Sequence, residues 1–207
     1  MVVTQIKPIN NKKSEIYIDY EFAFVLYKGE LRQLNIRTDK EITQDAYYEI
    51  TGTILPKRAK LRAMHLLEKR PYTERAMRDK LKEGLYSQDI IDEAIDYLKG
   101  FRYIDDYNYA LQYIDTYTES KTVKRIEQDL KQKGIKADII TKAISERRDE
   151  GELGDERAMI RRLLEKKHYS YSEADAKEKS KIMSYLFNKG FSIDNIRKEM
   201  NCDNEFD

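Results

Sequence analysis

Apolar residues after residue 56 recur every three or four positions, which is the spacing of one buried face of an α-helix. The pattern occurs three times along the chain. The best-aligned positions are a leucine and an isoleucine ten residues later: Leu81 and Ile91, Leu130 and Ile140, Leu186 and Ile196. We interpret each copy as three helices. Repeats of this length usually form arrays in which each unit packs on its neighbours.

Turns between the predicted helices have a recurring composition. Gly134 and Gly190 are predicted to end helices with positive φ, and Ile135 and Phe191 are expected to fold back onto the last turn. In the first copy Gly84 stands one residue early, so we expect a slightly different loop there. The next helix is predicted to begin at a polar residue: Ser87, Asp138 or Ser192. Its apolar stripe is Ile90, Ile91, Ala94, Ile95 and Leu98 in the first copy, and Ile139, Ile140, Ala143 and Ile144 in the second.

The first 56 residues show the shorter period of β-strands. Apolar residues alternate with polar ones at Ile16, Ile18 and Tyr20, and again from Phe22 to Leu26 after a tight reversal at Asp19-Tyr20-Glu21, which predicts a β-hairpin. A helix is expected to follow, with Thr43 as its N-cap and Pro56 at its end or at a kink; its stripe is Ala46, Tyr47, Ile50 and Ile54. An isolated hairpin is only marginally stable, so it must pack on that helix or on the next domain.

The predicted fold is therefore mainly α, with tandem three-helix repeats in an elongated array and a small N-terminal β-hairpin plus helix. The predicted domains are an extension at 1–56, repeats at 57–105, 106–150 and 151–201, and a polar tail at 202–207. Composition favours a helical protein, since 37% of the residues are charged and there are 8 Gly and 3 Pro.

No apolar run approaches the ~20 residues of a membrane span, and the N-terminus lacks the apolar core of a signal peptide, so we expect a cytoplasmic protein. The single cysteine, Cys202, excludes an intramolecular disulfide and a cysteine-based metal cluster. Neither a cofactor nor a metal is predicted. His65 is predicted within a helix, beside Leu66 and Leu67 at the boundary of the core, and His168 in a polar connection.

Net charge is only +1, but the charges are segregated along the chain. Residues 57–82 carry ten Lys or Arg against three acids, 121–136 six against two, and 157–167 five against one, whereas 89–96 holds four acids and no base. Each basic segment alone is typical of a solvated helix face. Their recurrence in all three copies favours a shared basic surface.

Two adjacent acids, Asp105 and Asp106, stand among aromatic residues in the stretch FRYIDDYNYALQYI. We interpret Asp105 as the N-cap of a helix and Asp106 as a first-turn residue that opposes the helix dipole. A catalytic or metal-binding role would need converging histidines or further carboxylates, which the sequence does not indicate. The 16 tyrosines could stack on bases, but many lie on stripe positions, which favours core packing.

The stretches YIDDYNYA and KRIEQDLKQKGIKADIITKAI resemble the RecX family, the bacterial regulators of the RecA recombinase. In the first copy LLEKRPYTERAMRDKLKEGLYSQDIIDEAIDYLKGFRYIDD resembles that family's opening repeat, and in the third copy FNKGFSIDNI is the recognisable part. The family commonly has a glycine where this chain has Thr122, so the turn that precedes Ile126 is expected to differ in shape.

The resemblance implies a monomeric, non-enzymatic regulator that lies in the groove of a RecA filament on single-stranded DNA. It would inhibit filament growth, ATP hydrolysis and strand exchange, in homologous recombination, DNA repair and the SOS response, and would bind free DNA weakly. The predicted contacts with the filament or its nucleic acid are the basic residues of the three copies. They are Arg58, Lys60, Arg62, Arg70, Arg75, Arg78, Lys80 and Lys82; Lys124, Arg125, Lys131 and Lys133; and Arg161, Arg162, Lys166 and Lys167.

Two other functions fit the residues. Three-helix units with basic helices also suit a stand-alone DNA-binding protein of helix-turn-helix type, which would bind free DNA tightly with a steep salt dependence. A scaffold protein would carry the basic segments only as solvated faces. An enzyme fits least, because no phosphate-binding glycine loop and no Ser/His/Asp grouping is present.

Overall fold

The computed structural model describes residues 1–201, which form two compact units. The first unit is Met1–Asp105, and the second begins at Asp106. Cys202 and the polar tail predicted at 202–207 lie outside the described residues. Within residues 1–201, no helix combines the length and the apolar character that crossing a membrane requires.

The first unit opens with a four-stranded antiparallel sheet. Its strands are β1 (Val2–Pro8), β2 (Lys13–Ile18), β3 (Glu21–Tyr27) and β4 (Lys40–Glu41), in the order β3-β2-β1-β4, and helix α1 (Lys28–Gln33) follows β3. The predicted hairpin is confirmed as β2 and β3. Strands β1 and β4 were not predicted, and β1 places the hairpin inside a larger sheet.

The turn of the hairpin is built from residues that rarely adopt positive φ. Asp19 and Tyr20 have φ of 49° and 72°. Hydrogen bonds from β1 hold them there: the N–H of Val2 donates to Asp19 Oδ1 at 2.9 Å, and Thr4 Oγ1 accepts from the N–H of Tyr20 at 3.0 Å. Tyr20 was predicted both at the end of the alternating stripe and within the reversal Asp19-Tyr20-Glu21. It lies in the turn, as the reversal predicted, and its side chain is 88% exposed.

A long helical segment joins the sheet to the first repeat. It consists of α2 (Gln44–Glu49), a π-helical turn (Ile50–Ile54) and α3 (Leu55–Leu67). The predicted N-cap is confirmed, since Thr43 accepts a hydrogen bond from the N–H of Ala46. Of the two outcomes expected at Pro56, the helix end is wrong, because Pro56 lies in the first turn of α3, directly after the π-helical turn. Proline cannot donate to the preceding turn and its ring crowds a carbonyl there, and the wider π turn accommodates both effects.

The first repeat consists of α3, α4 (Glu74–Lys82) and α5 (Gln88–Gly100). The predicted stripe of α5 is confirmed: Ile90, Ile91, Ala94, Ile95 and Leu98 are all buried. Sheet and helices share one core, because Ile16 and Leu26 of the sheet belong to the same buried cluster as Leu81 and Ile95. The hairpin thus gains the packing that an isolated pair of strands lacks.

The second unit contains the second and third repeats, each with its own core. The helices are α6 (Asp106–Tyr117), α7 (Val123–Gln132), α8 (Ala137–Asp149), α9 (Glu156–Lys166), α10 (Ala176–Asn188) and α11 (Ile193–Met200). Helix α6 begins at Asp106, so Asp105 immediately precedes the first turn, the position predicted for an N-cap. Helix α8 begins at Ala137, one residue before the predicted Asp138, and its N-cap is Lys136.

Several helices end in a left-handed turn, whether or not a glycine is present. Gly134 and Gly190 have φ of 87° and 96°, as predicted. The slightly different loop expected near Gly84 is confirmed: Leu85, with φ of 61°, aligns with Gly134 but stands two residues after the C-cap of its helix, whereas Gly134 directly follows its own. The side chain of Leu85 is 41% exposed. His168, with φ of 53°, forms the same turn after α9, within the predicted connection.

Candidate functional site: basic residues and a cleft in the second unit

Arg58 serves the fold of the first unit rather than an open surface. Its guanidinium donates to Glu30 Oε2 at 2.9 Å and to the backbone carbonyl of Val25. The group lies over the rings of Tyr27 and Tyr86, at 5.0 and 5.7 Å from their centroids. Only 18% of the side chain is exposed. Arg58 was predicted as a contact residue, and we assign it instead to the joint between the sheet and α3.

Other predicted contacts of the first unit are paired with acids. The acidic segment 89–96 supplies some of these partners, so part of the charge segregation in the sequence becomes internal pairing. The hydrogen bond from Arg78 lowers the pKa of Asp92 below its usual range. The pairs are Arg78 with Glu74 and Asp92, Lys60 with Glu93, and Lys80 with Glu83. The predicted contacts that remain exposed are Arg62, Arg70, Arg75 and Lys82.

Three half-buried tyrosines form a ladder along α6 in the second unit. The ring centroids of Tyr109 and Tyr113 are 6.5 Å apart, and those of Tyr113 and Tyr117 are 4.4 Å apart. Lys133 lies over the first two rings, and Lys121 over the last two. The tyrosines pack against the core of the second repeat, which agrees with the core packing favoured by their spacing.

Lys121 ties this ladder to α7. Its Nζ is 2.7 Å from Asp129 Oδ2 and 2.8 Å from the hydroxyl of Tyr113, which itself donates to Asp129. Arg125 lies 3.2 Å from the other oxygen of Asp129. Burial alone would raise the pKa of Asp129, but the hydrogen bonds from Lys121 and Tyr113 outweigh it and lower the pKa. The carboxylate is therefore charged and holds α6, the loop and α7 together.

Replacing Asp129 with asparagine should flatten the acid dependence of stability. Because folding lowers the pKa of Asp129, its contribution is complete above the unfolded pKa of about 4 and is lost as the pH falls through the folded value. The unfolding free energy of the wild type, measured with urea, should therefore fall more steeply with decreasing pH below about pH 4 than that of Asp129→Asn. Glu127→Gln, on the same helix, is the control. Equal slopes for wild type and Asp129→Asn would contradict this account.

Arg161 is engaged inside the third repeat. It lies 3.0 Å from Glu199 Oε2, and Arg157 bonds to the other oxygen of the same carboxylate. The side chain of Glu199 is only 2% exposed, so a buried carboxylate clamps α9 to α11 through two arginines. Although 41% of Arg161 remains exposed, the structure gives it a clear role in the fold.

The remaining predicted contacts of the second unit lie at its surface. Lys133 is half-buried against the tyrosine ladder, and Lys131 pairs with Glu127. Lys167 lies 4.4 Å from the ring centroid of Tyr185. Those that the structure leaves exposed are Lys124, Arg125, Lys131, Arg162, Lys166 and Lys167.

A cleft of about 670 Å³ lies between the second and third repeats, within the second unit. Arg162 of α9 reaches toward it and pairs with Glu119 of the preceding loop at 3.2 Å. The rim carries the cations Lys121, Arg125, Arg162 and Lys189 and the acid Glu119, and the apolar lining includes Tyr117, Met159, Leu163 and Phe191. The structure thus brings together two predicted residues, Arg125 and Arg162, from different repeats.

Two glycines allow the loop before α7 to approach the third repeat closely. A Cβ on Gly154 would lie 2.2 Å from the carbonyl oxygen of Thr118, whose hydroxyl accepts from the N–H of Gly154 at 2.6 Å. A Cβ on Gly190 would lie 2.7 Å from Thr122 Oγ1. Thr122 is buried and is also the N-cap of α7. The residue that departs from the pattern of the resembled family therefore lies at this joint.

Lys121, Lys189 and Glu119 were missed as cleft residues. Lys189 directly precedes Gly190, and the predicted capping role of that glycine drew the interpretation away from the lysine. Among residues 1–201, no group of three or more His, Cys, Asp or Glu side chains is arranged to hold a metal ion.

Comparison with known families gives three consecutive matches. A family model described as the first three-helix domain of RecX matches residues 59–98, the second domain matches 105–144, and the third matches 155–200. Together these matches cover more than half of the chain.

Curated relatives match nearly the whole chain. "Regulatory protein RecX" of Caldanaerobacter subterraneus subsp. tengcongensis is 32% identical over 203 residues, covering 97% of this chain and 99% of that protein. The protein of the same name from Clostridioides difficile is 30% identical over 196 residues, covering 93% and 90%.

Solved structures share the fold. "Crystal structure of RecX from Lactobacillus salivarius" aligns with a TM-score of 0.60 at 28% identity, covering 72% of this chain and 97% of that one. "Crystal structure of regulatory protein RecX" aligns with a TM-score of 0.64 at 23% identity, covering 97% and 99%. At that identity, the second likeness shows the fold alone.

Proposed function

The chain belongs to the RecX family of regulatory proteins, and we propose that it binds the RecA filament on single-stranded DNA and inhibits its growth, ATP hydrolysis and strand exchange. The observation that carries this proposal is the ordered match of all three RecX three-helix domains along the chain. RecA regulation is what membership of this family implies, and it would place the protein in homologous recombination, DNA repair and the SOS response.

The proposed contact surface is narrower than the basic residues counted in the sequence. Residues that stabilise their own unit, such as Arg58, Arg78 and Arg161, cannot contact a partner without giving up those bonds. Exposed cations can exchange a surface partner for phosphates or acidic side chains of the filament, because a surface ion pair contributes little to stability. We propose these as the contacts: Arg62, Arg70, Arg75 and Lys82, with Lys124, Arg125, Lys131, Arg162, Lys166 and Lys167.

We propose a non-enzymatic mode of action in which the repeats at 57–105, 106–150 and 151–201 are the recognition modules. The relatives are named as regulatory proteins. Binding as a monomer, with weak affinity for free DNA, would leave the filament as the preferred target. The proposed site of action is the cytoplasm, where the filament forms.

ATP hydrolysis by RecA on single-stranded DNA tests the proposal, with this protein titrated in and its binding to the bare DNA followed in parallel. We expect inhibition at protein concentrations well below those that saturate bare DNA. Reversing the charges of Arg75 and Lys82 by replacing both with glutamate should weaken inhibition about tenfold. The two residues are two turns apart on the same face of α4. Arg37→Glu, at an exposed loop position outside the proposed contacts, is the control with the same kind of charge change.

The opposite result would replace this function with another. Inhibition that only follows coating of the DNA, with a steep salt dependence, would favour the helix-turn-helix alternative. If the wild type binds RecA without affecting hydrolysis, or does neither, the inhibitory role is wrong.

A further inference from the structure

We propose that the cleft between the second and third repeats binds a peptide segment of a protein partner in which an apolar side chain is flanked by carboxylates. The inference deepens the proposed function and rests on it, because that function supplies a protein partner. The cleft would be a specific contact at one place in the second unit. Such a contact differs from the general electrostatic attraction between basic helices and a polyanion.

The floor of the cleft suits an apolar side chain. Its volume of about 670 Å³ lies within the range of roughly 300–1,000 Å³ that is typical of small-ligand sites. Leu163 is half-buried beside Met159 and Phe191, which belong to the core of the third repeat. The flexible thioether of a methionine can adjust to different apolar partners. One aliphatic or aromatic side chain is therefore a suitable occupant.

The rim suits carboxylates. Arg125 and Arg162 have exposed side-chain fractions of 51% and 58%, and Lys189 is exposed beside them. Glu119, itself 69% exposed, lies 3.2 Å from Arg162 and shows how a carboxylate is held there. A surface pair of this kind contributes little to stability. A carboxylate from a partner can therefore displace Glu119 at small cost.

The aromatic residues of the cleft argue against a nucleic-acid base as the occupant. Stacking needs an open ring face. Lys121 Nζ lies 3.9 Å from the ring centroid of Tyr117, and the ring of Tyr113 packs against the same tyrosine at 4.4 Å. Phe191 is only 4% exposed. Because neither ring is open, the apolar floor and cationic rim favour a peptide over a single strand of DNA.

Fluorescence anisotropy of the full chain with a labelled peptide tests the proposal. The probe has one phenylalanine between two pairs of aspartates, and an unlabelled oligothymidylate is the competitor. Arg162→Glu should weaken peptide binding about tenfold, whereas Glu119→Gln should strengthen it about threefold by removing the internal competitor. Arg148→Glu, an exposed position on α8 outside the cleft lining, should change it less than twofold.

Saturable binding with this order of affinities would establish the cleft as a peptide site. Equal binding to the wild type and Arg162→Glu, or no binding of the peptide, would overturn the proposal. Oligothymidylate bound in place of the peptide and lost in Arg162→Glu would make the cleft a nucleic-acid site instead. The proposed function is judged separately, by inhibition of RecA with the wild type, so its failure is distinguishable from failure of the cleft assignment.

Discussion

Replacing Arg58 with alanine should lower the unfolding free energy of the first unit by about 3 kcal/mol, the order expected when a largely buried ion pair is broken. The variant leaves the carboxylate of Glu30 and the carbonyl of Val25 without this donor. It also removes the guanidinium from the rings of Tyr27 and Tyr86. These partners belong to β3, to α1 and to the turn before α5, so one side chain joins the sheet to the first repeat.

Urea unfolding, followed by circular dichroism, measures this effect. Lys57→Ala is the matched control, because the neighbouring side chain is exposed and should cost less than about 0.5 kcal/mol. Arg58→Met retains an apolar stem and should lose nearly as much as the alanine variant if the hydrogen bonds dominate. If Arg58→Ala proved as stable as Lys57→Ala, the joint between the sheet and α3 would not depend on Arg58.

Replacing Gly154 with alanine should destabilise the second unit by about 3 kcal/mol or more, at the upper end of overpacking costs. The added Cβ would lie 2.2 Å from the carbonyl oxygen of Thr118 and 2.8 Å from Cε of Met159. The methionine can move, but the carbonyl belongs to the backbone of the facing loop. Accommodating the methyl group therefore requires the two repeats to separate and weakens the hydrogen bond from Gly154 to Thr118.

Gly151→Ala is the control for this variant. Gly151 has φ of 73° but no atom within 4 Å of its added Cβ, so its substitution costs only the strain of the left-handed conformation, about 1 kcal/mol. Thermal unfolding should show a clearly larger decrease in Tm for Gly154→Ala than for Gly151→Ala. Equal decreases in Tm would mean that the loop at Thr118 moves easily away from the added methyl group. The close approach of this loop would then not be the reason for a glycine at position 154.

Helical stripes were readable from the sequence because the burial of a helix face depends on residues close together in the chain. The stripe of α5 is buried as predicted. Strand β1 was not readable in this way, because its pairing of Val3 with Ile18 is set by distant residues. Leu85 shows another limit: its left-handed turn is imposed by the packing of the helices on either side, against its own conformational preference.

The sequence predicted which segments are basic, but it did not predict which of their side chains remain exposed on the surface. Charge counts identified the basic segments, yet they could not show that Lys60 and Arg78 pair with acids of the segment 89–96. The cleft escaped prediction for the same reason. Arg125 and Arg162 are far apart in sequence, and only the close approach allowed by Gly154 places them around one cavity.

The contact between Arg58 and Val25 also affects how the protein behaves at high concentration. Strand β3 is an outer strand of the sheet, and its sequence EFAFVLY is rich in residues that favour β-structure. An uncovered outer strand of this kind is a template for pairing with another chain and so for aggregation. Because the guanidinium of Arg58 occupies the carbonyl of Val25, the residue that fastens the sheet to α3 should also hinder the pairing of another chain at this edge.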